Sequence, residues 1–83
     1  MIRKKKPSGG RKLSTEKPAR LIKLFQKKGW GIDRQTGSHV VMVHEKNPMQ
    51  LVIPVHSNET QPEIIQSLLK QAGISREEYF ELL

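Results

Sequence analysis

Two short, mostly β-branched runs, Val40-Val41-Met42-Val43 and Leu51-Val52-Ile53-Pro54-Val55, lie close together with Lys46-Asn47-Pro48 between them. That pattern demands a hairpin, and its turn residues place the tip at Lys46-Asn47-Pro48. The rest of the chain must then cover one side of it. With 83 residues and no cysteine, the chain has neither disulfides nor a thiolate metal site to help, so one small core must suffice.

The flanking segments read as that cover. A first helix is expected from about Glu16 to Lys28, with Thr15 as N-cap and Pro18 tolerated in the first turn. Leu21, Ile22, Leu24 and Phe25 form its apolar stripe, and Arg20, Lys23 and Lys27 share the opposite face. Gly29 ends it. A short strand follows over Trp30 to Arg34, with Gln35-Thr36-Gly37 as its turn. The second strand covers Ser38 to Glu45 and the third Gln50 to Val55. Thr60-Gln61-Pro62-Glu63 reads as a capping box opening a second helix to Ala72, which buries Ile64, Ile65, Leu68, Leu69 and Ala72. Gly73 stops that helix, and Ile74 stands where a Schellman motif places an apolar contact. Ser75-Arg76-Glu77-Glu78 is a further capping box for a short terminal helix carrying Tyr79, Phe80, Leu82 and Leu83.

The order helix, three strands, helix, with a short C-terminal helix, predicts an α+β fold. Short links favour an antiparallel three-stranded meander with the helices on one face, the layout of a double-stranded-RNA-binding-like domain. Residues 1–13, MIRKKKPSGGRKL, have almost nothing to bury and read as a basic, disordered arm before a domain over 14–83.

His39 is the residue around which chemistry is expected. A hairpin centred on Asn47 sets Val43 opposite Leu51, Val41 opposite Ile53 and His39 opposite Val55, all on one face. That face is apolar apart from His39, so it is the face the helices should cover, with His39 at its margin. Val40, Met42 and Val52 are then left uncovered on the other side, which points to a protein partner. In this register His56 is diagonal to His39 and faces away from it, so a two-histidine pair is not expected.

The net charge of +7 is unevenly spread. Residues 1–46 hold 13 Lys/Arg against three acids, a balance of +10, whereas residues 47–83 hold two against five, a balance of −3. A basic half suits a polyanion such as nucleic acid; the alternative is a solvated helix face and a solubilising tail. His39, His44 and His56 lack helical i,i+4 spacing and a neighbouring carboxylate cluster, so no metal site and no cofactor are expected. Trp30 opens a strand, where an aromatic serves the core more often than it stacks a base. No apolar run is long enough to span a membrane and no signal peptide is visible, so a cytoplasmic protein is expected.

Lys28-Gly29-Trp30, Arg34-Gln35-Thr36-Gly37-Ser38-His39, Val52-Ile53-Pro54-Val55-His56 and Leu68-Leu69-Lys70-Gln71-Ala72-Gly73-Ile74-Ser75, in that order, resemble the HicA family of mRNA-interferase toxins. The resemblance covers Lys17 to the C-terminus. It implies the same double-stranded-RNA-binding-like fold, ribosome-independent cleavage of mRNA, and a cognate HicB-type antitoxin that masks the active site. It also implies that the histidine of Gly-Ser-His, here His39, is catalytic. The chain departs from many relatives at Gln61-Pro62-Glu63, where they carry a lysine-glycine pair, and in its longer basic arm. A glutamate there repels phosphate.

Cleaving RNA without metal requires a base for the 2′-OH, charge stabilisation on the phosphate and a proton for the leaving 5′-oxygen. His39 is the candidate base or acid, and Arg20, Lys23, Lys27, Lys28 and Arg34 are the candidate phosphate contacts. Ser38 either bonds the phosphate or caps the turn, and Gly37 is needed for the geometry of the turn that presents the site. Two other functions fit the same sequence: a non-catalytic RNA-binding module, and an interaction domain whose apolar sheet face recruits a partner.

Overall fold

The computed structural model describes residues 12–83, so the basic arm lies outside them except for Lys12 and Leu13. The elements are α1 (Pro18–Lys27), β1 (Gly31–Thr36), β2 (His39–His44), β3 (Asn47–Pro54), α2 (Pro62–Ala72) and α3 (Arg76–Leu82). The strands form one antiparallel sheet in the order β1-β2-β3. This is the α+β architecture expected from the order of elements. Leu21, Leu24 and Phe25 of α1, Ile65, Leu68 and Leu69 of α2, and Tyr79 of α3 share one buried cluster with Trp30, Val40, Met42, Leu51 and Ile53. All three helices therefore cover the same sheet face. Trp30 is a core residue, as its position suggests.

Both long helices begin at a proline rather than at a hydroxyl cap. A residue before proline is driven to extended backbone, so the helix cannot start earlier. Lys17, not Thr15, is the N-cap of α1, and Gln61, not Thr60, is that of α2; neither side chain caps. Thr60, expected to cap, has another use. Glu16 and Thr60 exchange backbone hydrogen bonds of 3.2 and 2.7 Å, which join the entries to the two helices. The helix ends follow local rules more closely. Gly73 is left-handed at φ +74, Ile74 N–H donates to the Leu69 carbonyl at 2.9 Å, and Ser75 Oγ accepts from Glu78 N–H at 3.1 Å. These are the Schellman end and the N-cap that the sequence predicts.

The hairpin register differs from the expected one, and the difference reaches the site. The turn is Glu45-Lys46, not Lys46-Asn47-Pro48. Asn47 instead opens β3, its amide accepting from Met49 N–H at 2.9 Å and donating to the Gln71 carbonyl of α2 at 3.2 Å. Pro48 sits in an edge strand, where a missing N–H is tolerated. An irregularity between Met42 and His44 then shifts the pairing, so that Met42 opposes Leu51, Val41 opposes Val52, Val40 opposes Ile53 and His39 opposes Pro54. This is a one-residue slip from the register centred on Asn47, and a slip of one exchanges the two faces. Val40 and Met42, expected on the open side, lie under the helices; Val41 and Val52 take the other side with His39, Val41 buried there and Val52 exposed. Ile64 is likewise exposed rather than part of the buried stripe of α2.

Candidate functional site

The Gly37-Ser38 pair is a two-residue hairpin loop between Thr36 and His39, which oppose each other. Gly37 has φ +58, whereas no non-glycine residue described has a positive φ. A positive φ at the first loop position alone is the arrangement of a II′ hairpin, for which glycine is the natural residue. Gln35 Nε2 braces the loop through the Gly37 carbonyl at 3.3 Å. The Ser38 carbonyl accepts from Val55 N–H at 2.7 Å and ties the loop to the exit of β3. Ser38 is half-buried, and its backbone serves the turn.

This frame holds His39 exposed at the end of β2, on the face the helices leave open. His56 stands on the same side. Its ring centroid is 6.3 Å from that of His39, with the planes inclined by 71°. The register expected from the sequence, with His39 opposite Val55, turns His56 away. Pairing His39 with Pro54 puts the next outward position on that strand path at His56. Nothing local in the sequence signals this, since it depends on where a distant turn falls.

Arg34 is the cation closest in register. It opposes Val41, two residues along from His39, while Thr36 opposes His39 itself. Arg34 is thus diagonal to His39 on one face, at roughly 7–8 Å between backbones, within reach of a long side chain. Its guanidinium pairs with the neighbouring Asp33 carboxylate, and both side chains are substantially exposed.

The α1 and α1-end cations are arranged differently. Arg20, Lys23 and Lys27 line a shallow cleft with Leu82 and Leu83, on the helical side of the molecule. Arg20 is 3.6 Å from Glu16, and Lys27 Nζ donates to the Leu82 carbonyl at 3.1 Å. Lys28 is ion-paired with Glu78 of α3. The cations of α1 and the imidazole of His39 therefore lie on opposite faces of the sheet.

The third histidine is structural. His44 Nδ1 accepts from Lys46 N–H at 3.0 Å, which leaves Nε2 as the donor to the Lys28 carbonyl at 3.1 Å. Its ring also meets Trp30 edge-on, with centroids 5.3 Å apart. Both nitrogens are committed to holding the end of α1 against the hairpin.

Over residues 19–74 the chain matches the family model described as the HicA toxin of bacterial toxin–antitoxin systems. That span is well over half of the chain and contains the Gly-Ser-His loop, the whole sheet and α2. The chain belongs to the HicA family. A HicA protein is the toxin of a toxin–antitoxin pair, so an antitoxin is its implied partner. No curated protein matches this HicA chain. Among the described residues, no helix is long and apolar enough to cross a membrane.

Proposed function

We propose that this HicA toxin is a metal-independent endoribonuclease that cleaves mRNA without the ribosome, with His39 as general base. In the cytoplasm a HicB-type antitoxin holds it inactive by covering that histidine. The observation that carries the reading is the setting of His39: exposed, at the mouth of a braced glycine turn, and diagonal to Arg34.

His39 takes the proton of a ribose 2′-OH, and the freed oxygen attacks the adjacent phosphorus. As that P–O bond forms, the bond to the 5′-oxygen of the next nucleotide breaks. The products are a 2′,3′-cyclic phosphate and, once the leaving oxygen has been protonated, a 5′-hydroxyl. Arg34 balances the charge that gathers on the phosphoryl oxygens. A positioned proton-transfer group contributes about 10²–10⁴-fold.

Purified wild type and His39→Ala are compared on a long mRNA in EDTA, without ribosomes. Wild type cleaves, and His39→Ala loses about 10²–10⁴-fold in rate. Equal cleavage by both removes His39 from the reaction. Binding without cleavage by either makes the chain an RNA-binding module of the same fold.

A further inference from the structure

From the geometry we infer that His56 is a second catalytic residue, the general acid that protonates the leaving 5′-oxygen opposite His39. The inference rests on the endoribonuclease reading. That reaction moves two protons, one taken from the 2′-oxygen and one given to the 5′-oxygen, and a single imidazole supplies only the first directly.

Three observations support the second role. The two rings lie on one sheet face with centroids 6.3 Å apart and planes inclined by 71°. At that separation the imidazoles are too far apart to hydrogen-bond each other but close enough to flank one phosphodiester. In an in-line displacement the entering and leaving oxygens stand on opposite sides of phosphorus, and each proton-transfer group sits about 2.6–3.2 Å from its oxygen. Two groups acting on one phosphate must therefore be near each other without touching.

The second observation is availability. Both side chains are exposed, and among the described residues neither imidazole is in a hydrogen bond. His44 is the internal contrast, since both of its nitrogens are bonded to backbone. A structural histidine in this fold is thus recognisable, and His56 does not resemble one.

The third is that the pairing is built rather than incidental. The bond from Val55 N–H to the Ser38 carbonyl, at 2.7 Å, joins the residue before His56 to the residue before His39. The two histidines are held by the same hydrogen-bonded rung. That rung adjoins the last pair of the ladder, His39 with Pro54, and His56 follows it directly.

In the forward reaction, protonated His56 gives its proton to the 5′-oxygen as the P–O5′ bond breaks, while His39 keeps the proton taken from the 2′-oxygen. Exchange with water restores both rings for the next turnover.

The test uses full-length wild type, His39→Ala, His56→Ala and His56→Gln on two substrates. One is an ordinary RNA oligonucleotide. The other carries sulfur in place of the bridging 5′-oxygen at the cleaved position, so the leaving thiolate needs no proton. Both His56 variants are expected to lose about 10²-fold or more on the ordinary substrate and to recover to within a few-fold of wild type on the sulfur substrate. His39→Ala stays slow on both. Thermal unfolding of the variants confirms that each is folded. If folded His56 variants cleave ordinary RNA like wild type, or are equally slow on both substrates, His56 is not the acid and the inference is overturned. If wild type cleaves neither substrate, or His39→Ala is as fast as wild type, the endoribonuclease reading itself fails and this inference falls with it.

Discussion

Of the three histidines, His44, with both ring nitrogens bonded, explains a glycine. Gly29 follows the end of α1 with φ +92, and a Cβ built there would stand 2.8 Å from His44 Nε2. Two separate demands therefore meet at one residue: left-handed backbone, and room for the imidazole that donates to the Lys28 carbonyl. Gly29→Ala is expected to lower stability by about 1–3 kcal/mol, read by denaturant unfolding. In a His44→Ala background the steric part disappears, so the same substitution then costs only the backbone part, about 1–2 kcal/mol. Purely additive effects in that double-mutant cycle would mean that the imidazole does not press on Gly29. The Lys28-Gly29-Trp30 string is readable in sequence as a helix end followed by a core aromatic. His44 as its partner is not, because the contact spans a whole hairpin arm.

At the scale of elements, what the sequence made legible was what short-range rules decide. The glycine stop of α2 and the Ser75 cap of α3 stand where their residues predict them. The register did not follow, for a definite reason: Val40-Val41-Met42-Val43 is apolar without a break, so it carries no period-two phase to say which side faces the helices. Phase can then come only from the turn, and Asn47-Pro48 is a better turn sequence than Glu45-Lys46. The fold nonetheless uses Asn47 to hold α2, through the Gln71 carbonyl. The proposal for His39 needs only its motif, whereas the one for His56 depends on that register. The third helix offers a test of how elements are joined. Tyr79 is buried at the junction with the segment leading into α1, and its hydroxyl titrates above the usual value of 10.0, through burial first and then the Glu16 charge, with Arg20 opposing. A raised folded pKa means that the stability it supports is complete below the unfolded value and is lost as pH climbs through the folded one. Wild type is therefore expected to lose stability above pH about 10 more steeply than Tyr79→Phe. Tyr79 is the sole tyrosine of the chain, so ultraviolet titration follows its ionisation directly. Phenolate appearing at the ordinary pH in a protein that is still folded would remove the buried junction from the account.

For the whole molecule, the proposed function requires one RNA strand to meet His39 on one face and a basic helix on the other. The sheet places His39 and Arg34 together, whereas Arg20, Lys23 and Lys27 lie beside Leu82 and Leu83 on the helical side. A strand held by both must pass around an edge of the sheet. The chemistry and the affinity then separate. On the proposed reaction Arg34 faces the scissile phosphate, so Arg34→Ala is expected to lower kcat. If the α1 cations grip phosphates farther along that strand, the triple change Arg20→Ala, Lys23→Ala and Lys27→Ala is expected to raise KM. Each phosphate contact on single-stranded nucleic acid contributes about −0.7 to the slope of log affinity against log salt. Removing three should make that slope shallower by about 2, measured by RNA-binding titrations at several salt concentrations. An unchanged slope would mean that RNA never crosses α1 and that its cations are a solvated face. A nearly flat slope for the wild-type chain would go further. Its net charge of +7 would then have no polyanion to meet, and the interaction-domain reading would displace both RNA readings.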